Sequence, residues 1–145
     1  MDSFTFLLNN TPWQRAAALF VRMNVFVLER EIAIADEFDE KDVDGTTYAV
    51  AYKDNLPVAT ARFIKNEDKV AQITRVATLK EYRGRHLGSK LIQLMEEYAV
   101  SEGIVQLDIH AELTAVEFYE KNGYVQSSET YLEDGVACQT LTKKF

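Results

Sequence analysis

Apolar positions along the chain switch between helical and strand periods. Leu19, Phe20, Met23, Phe26 and Val27 recur at three- and four-residue steps, which predicts a first helix with one buried face. Thr11-Pro12-Trp13-Gln14 supplies its start: Thr11 can cap, Pro12 suits the first turn and Gln14 completes a capping box. The helix should end near Glu29 to Glu31, and the acidic stretch after it reads as loop. Three β-type runs follow at 48–52, 58–64 and 70–78, separated by turn residues at Asp54-Asn55 and at 66–69, as in antiparallel hairpins.

A second helix is predicted over 87–100, where Leu87, Leu91, Leu94, Met95 and Tyr98 keep helical spacing and Gly103 can stop it in the left-handed conformation. Val105, Leu107 and Ile109 then alternate as a strand, so strand, helix, strand implies a parallel crossover. Thr114-Ala115-Val116-Glu117 reads as a second capping box, opening a short helix that closes at Gly123. From Tyr124 the chain returns to β character, and Asp134-Gly135 marks a tight turn into a last strand over 136–142. The predicted order α, β, β, β, α, β, α, β, β describes a mixed sheet covered by helices, an α/β or α+β architecture.

The 145 residues suit one domain over 1–145, and 47% hydrophobic with 27% charged residues is globular composition. Apolar runs are far shorter than the roughly 20 residues a bilayer requires, and the first residues lack a basic leader, so a cytoplasmic protein without membrane partners is expected. Cys138 is the single cysteine, which excludes a disulfide framework and a thiolate metal cluster, and no metal is expected. A net charge of −7 argues against nucleic acid. The charge is uneven: residues 29–44 hold eight acids against Arg30 and Lys41, whereas 75–90 hold five bases against Glu81. One segment favours cations and the other anions, unless both are merely solvated loops.

The basic segment contains Tyr82-Arg83-Gly84-Arg85-His86-Leu87-Gly88-Ser89, between a predicted strand and a predicted helix. A helix N-terminus offers unpaired N–H groups and the positive end of the macrodipole, and Gly84 and Gly88 clear space for a phosphate to approach. Neither a Walker loop nor G-x-G-x-x-G is present. About 30 residues on comes Ala115-Val116-Glu117-Phe118-Tyr119-Glu120-Lys121-Asn122-Gly123-Tyr124.

Together, Arg83-x-x-x-x-Gly88 and Ala115-x-x-Phe118-Tyr119-x-Lys121-x-Gly123-Tyr124 resemble the two signature segments of the GNAT superfamily of acetyl-CoA-dependent N-acetyltransferases. The stretches at 25–29 and 37–42 are similar to its ElaA-like branch. The resemblance implies a single GNAT domain with a mostly antiparallel sheet whose central strands, 70–78 and 105–109, splay apart. It implies that backbone amides from Arg83 to Ser89, through Gly84, Arg85, His86, Leu87 and Gly88, hold the pyrophosphate of acetyl-CoA. It places Val76, Ala77 and Thr78 along the pantetheine, and Tyr119 where it returns a proton to the departing thiolate. The activity implied is direct transfer of an acetyl group to a primary amine of a small molecule or peptide, with a cationic acceptor favoured by the acidic segment. A non-catalytic acyl-CoA-binding or sensing module of the same fold is the alternative, and a homodimer is left open.

This sequence departs from the family pattern in three places. The first glycine of the phosphate loop is His86; the strand position of the family's catalytic glutamate falls at Thr74 and Arg75; and Cys138 stands where the ElaA-like pattern shows histidine. Glu29 is the replacement base, set against an ordinary surface carboxylate. His110 and Glu112 are open between proton or acceptor contacts and structural roles, and Arg22 reads as part of a solvated helix face.

Overall fold

The computed structural model describes residues 3–145; the first two of the ten residues read for a basic leader lie outside the described residues. The chain runs β1 (Thr5–Asn9), α1 (Pro12–Arg22), a π-helical turn (Met23–Glu29), α2 (Ile34–Glu37), then β2 (Thr47–Lys53), β3 (Leu56–Glu67) and β4 (Val70–Thr78). It continues through α3 (Leu87–Ser101), β5 (Gln106–Glu112), α4 (Val116–Lys121), β6 (Val125–Gln126), β7 (Tyr131–Glu133) and β8 (Val136–Lys144). The strands form one sheet in the order β1-β2-β3-β4-β5-β8-β6, with β7 paired to β8. All pairs are antiparallel except β4 with β5.

Successive residues of β2 face opposite sides of the sheet, and both sides are covered. Tyr48 and Val50 pack on Ala17 and Ala18 of α1, while Ala49 and Ala51 join the larger core with Leu91, Ile92 and Met95 of α3. That is why β2 reads as an unbroken apolar run. Gly103 ends α3 at φ +79°, and Asp134 and Gly135 turn the last hairpin at φ +52° and +80°, as their positions predict. Among the described residues no helix is long and apolar enough to cross a membrane.

Several expectations are corrected. β1 lies ahead of the first predicted element; Phe4, Phe6 and Leu8 pack on the core with the period of two that marks a strand. Thr11 caps α1 by accepting the Gln14 N–H at 3.2 Å, yet Gln14 closes no capping box. Its buried amide donates to the carbonyls of Leu7 and Tyr48 at 2.8 and 3.0 Å and accepts from the Tyr52 hydroxyl, which ties α1 to β1 and β2. The second proposed box also fails: Ala115 sits at the start of α4 and no side chain caps it. The first helix changes to π geometry at Met23, where the Arg30 N–H reaches back to the Val25 carbonyl at 3.1 Å.

The acidic stretch is loop for most of its length but not wholly solvated, and Arg22 is not on a solvated face. Arg22 is fully buried. Its Nε donates to Glu37 at 2.9 Å, its terminal nitrogens donate to Asp42 at 2.7 and 2.9 Å and to the Glu37 carbonyl, and its guanidinium lies over the Phe38 ring. Buried Arg62 of β3 bridges Asp39 and Asp42 at 2.8 and 3.0 Å and donates to Thr74. Three acids of the segment are thus neutralised inside the fold, as buried charge requires. Burial alone would lower the Arg22 pKa and raise that of Asp42. Their mutual hydrogen bonds win, holding the arginine above its ordinary value and the aspartate well below.

Candidate active site

The site begins where β4 leaves β5. The two strands pair over Val70↔Gln106, Ala71↔Leu107 and Gln72↔Asp108 and then separate, although each continues for several residues. The strand edges that would have paired instead border a cleft of about 850 Å³, with Thr74, Arg75 and Val76 on one wall and His110, Ala111 and Glu112 on the other.

A bulge bends β4 at the same level. Thr60 and Arg62 of β3 stand opposite Ala77 and Thr74, so one β3 residue faces both Arg75 and Val76, and Arg75 takes φ +54°. A non-glycine residue in that conformation costs of order 1–3 kcal/mol and persists only where its surroundings fix it. Here they do: the Arg75 guanidinium reaches Asp39 and Glu37 at 3.3 Å each. Its Nε is off the hydrogen-bond axis to Glu37 and has no hydrogen-bond partner among the described residues. Phe26 in the π turn and Arg30 just after it close another side of the cleft.

Tyr119 of α4 is buried, lines the cleft and stacks edge-on with Phe118 and Tyr124. Its hydroxyl has no hydrogen-bond partner among the described residues. Burial, helped by the negative charge of Glu112, pushes its pKa up, so the phenol keeps its proton at neutral pH. Cys138 also lines the cleft, and burial together with Glu133, Glu112 and Asp134 keeps its thiol protonated.

The basic loop lies at the entry to α3. The first helical bond of α3 is Lys90 N–H to His86 C=O at 3.2 Å, so Leu87, Gly88 and Ser89 precede it. Neither their N–H groups nor those of Gly84 and His86 meet an acceptor among the described residues. The Arg83 N–H is engaged with Lys80 at 3.4 Å. His86 has φ +60°, which accounts for the glycine that the family pattern shows there. Gly88 has a packing reason as well: a Cβ there would lie 3.2 Å from the Phe118 ring. A shallower hollow beside the loop is lined by His86, Ser89, Lys90, Lys121 and Asn122.

The site residues expected from sequence divide into two groups. Val76 and Tyr119 reach the cleft, and the residues from Gly84 to Ser89 form the loop. Glu29 does not join them: both its oxygens are held by the Arg83 guanidinium at 2.7 Å, and that contact draws its pKa below the usual carboxylate range. The side chain of Arg83 is spent on Glu29 and on the Thr78 carbonyl at 3.0 Å, which leaves its guanidinium engaged within the fold. Glu112 is at the cleft but bound to Arg30 at 2.6 Å, and His110 contacts Glu133 at 3.2 Å. Glu37 and Arg75 were not singled out for the site, because their meeting depends on a buried ion cluster assembled from four segments.

A mixed sheet that forks beside a bulge, followed by a helix whose first N–H groups are unpaired, is the architecture of a GNAT-type acyltransferase. The model of the acetyltransferase (GNAT) family matches residues 13–124, and the chain belongs to that family. An uncharacterized acetyltransferase of Streptococcus pyogenes is 44% identical over 110 residues, covering 76% of this chain and 75% of the relative. The crystal structure of a "putative N-acetyltransferase from Lactobacillus plantarum" superposes with a TM-score of 0.94 at 40% identity, over 99% of both chains. Escherichia coli ElaA shares the fold, with a TM-score of 0.82 at 24% identity over 99% of this chain and all of that one.

Proposed function

We propose that the protein moves an acetyl group from acetyl-CoA to a primary amine by direct attack in a ternary complex. The observation that carries this reading is the fork between β4 and β5, which leaves strand edges and a polar cleft where a thioester arm can lie. The free N–H groups at Gly84 and from His86 to Ser89 fit a pyrophosphate, since they combine unpaired donors with the positive end of α3. Val76, Ala77 and Thr78 would run beside the pantetheine, with N–H groups of the bulged strand turned to the thioester oxygen as charge develops there.

Tyr119 is the donor to the departing sulfur, because it holds its proton and has no competing partner. The acceptor is a cationic amine: Asp36, Glu112, Glu133 and Asp134 line the cleft against Arg30 and Arg75, a surplus of negative charge even after the inward acids are set aside. The acidic balance of the chain disfavours nucleic acid, and its one thiol suits the cytoplasm. The test is thiol release from acetyl-CoA with a panel of amines. Saturable turnover is expected. Tight coenzyme binding without thiol above background would point instead to a binding module.

A further inference from the structure

The acyl-transfer reading leaves one proton unassigned. An alkylammonium of pKa near ~10 is about one-thousandth neutral at pH 7, so a group in the cleft has to accept a proton before nitrogen can attack. Thr74 and Arg75 are not bases, and Glu29 is occupied outside the cleft. Of the other cleft carboxylates, Glu112 is bound to Arg30, Glu133 is half-exposed against His110, and Asp36 and Asp134 are exposed at the rim.

Glu37 differs from these. It ends α2, is only 3% exposed and lines the cleft. Its Oε2 accepts from Arg22 Nε at 2.9 Å and lies 3.3 Å from Arg75 Nε, and Arg22 also holds its carbonyl at 2.9 Å. The second oxygen, Oε1, has no hydrogen-bond partner among the described residues. A carboxylate with one oxygen locked in place and the other open, beside the bulge of β4, has the geometry of a positioned proton acceptor.

Resting on the acyl-transfer reading, we propose that Glu37 is the catalytic base, taking the proton of the acceptor ammonium through Oε1. The neutral nitrogen then forms its C–N bond to the acetyl carbon while the C–S bond breaks with its electron pair on sulfur. Tyr119 gives its proton to that sulfur and regains one from the nitrogen. Glu37 releases its proton to solvent as product leaves, so one proton is produced per acetyl transferred. Burial raises the Glu37 pKa against the opposing pull of Arg22 on α1, Arg75 on β4 and Arg62 on β3, whose charges are shared with Asp39 and Asp42. That direction makes it a better proton acceptor than an exposed carboxylate.

The experiment compares wild type with Glu37→Gln, using acetyl-CoA and the best acceptor among 1,4-diaminobutane, Nα-acetyl-lysine and benzylamine, from pH 6 to 9.5. The variant should lose about 100-fold or more in kcat/KM at pH 7, with acetyl-CoA affinity within about threefold and the deficit shrinking as pH nears the ammonium pKa. An equal deficit at every pH, or a loss under about threefold at pH 7, overturns the proposal. If the variant does not fold, the wild-type profile decides. A plateau between pH 7 and 9 supports Glu37, and a rate climbing tenfold per unit up to the ammonium pKa overturns it. Wild type that binds acetyl-CoA but releases no thiol with any acceptor defeats the acyl-transfer reading itself, and Glu37 with it. Active wild type with equally active variant defeats only the base.

Discussion

The carboxylate of Glu29 receives two hydrogen bonds of 2.7 Å from the guanidinium of Arg83. That clasp joins the end of the π turn to the start of the basic loop before α3. It also occupies both oxygens of Glu29, which weighs against a part for this residue in proton transfer. Glu29→Gln is therefore expected to keep the wild-type pH–rate profile, with at most a small fall in Tm because the pair is exposed. Loss of the low-pH rate with recovery at high pH would return Glu29 to the chemistry.

Arg22 is expected to dominate stability far beyond what its charge suggests. Arg22→Met leaves Glu37 and Asp42 buried without their main partner, and breaking a buried pair from one side costs about 3–5 kcal/mol. Urea denaturation measures this. A change under about 1 kcal/mol would mean that the acids find water or Arg62 and Arg75 instead.

The same cluster sets an acid limb. Burial works against ionised Asp42 and Asp39, yet hydrogen bonds from Arg22 and Tyr48 to the first, and from Arg62 to the second, hold both below their ordinary value. Their contribution is complete above the unfolded value of about 3.9 and is lost as pH falls toward the folded values. Glu37, shifted upward, acts in the opposite sense just above about 4.3 and offsets part of the change there. The urea midpoint should hold from neutrality to about pH 5 and drop steeply below about 4, with a shallower drop in Asp42→Asn. A midpoint unchanged at pH 3 would contradict the assignment.

His86 carries positive φ at the entrance to α3. His86→Gly removes that strain while adding unfolded-state entropy, so stability should move by less than about 1 kcal/mol and coenzyme binding should survive. His86→Val, β-branched at the same φ, should cost about 1–2 kcal/mol and weaken binding. Equal behaviour of the two variants would show that the backbone conformation there is not what matters.

Tyr119→Phe deletes a hydroxyl that bonds to no described residue, so folding should be unaffected. If the hydroxyl serves the sulfur, kcat falls about 10²- to 10⁴-fold with coenzyme affinity within about threefold. Parallel loss of rate and affinity, followed by thiol release and by binding titration, would assign Tyr119 to packing.

Most of the architecture was legible because it rests on local signals. Gly103, Gly123 and Asp134-Gly135 mark where elements stop, and the apolar periods of 70–78 and 87–100 match β4 and α3 to within a residue. The unpaired N–H groups ahead of α3 were legible too, since they come from main chain at a helix start. What sequence could not display was Arg22 meeting Glu37 and Asp42, 15 and 20 positions away, or Arg75 turning to them from a bulge. Acids and bases far apart in the chain cancel only once the fold has paired them. A run of negative charge therefore looked like a lure for cations when three of its eight acids are internal mortar.

The fork that makes the cleft has a mechanical corollary. With β4 and β5 joined over only three residue pairs, the strands before the fork and those after it share a narrow seam of main-chain bonds. Much of what holds the two wings together is the packing of α3 and α4 beneath them, including the close approach of Gly88 to Phe118. The opening is therefore a wedge-shaped gap between two wings that the sheet itself ties only at its root.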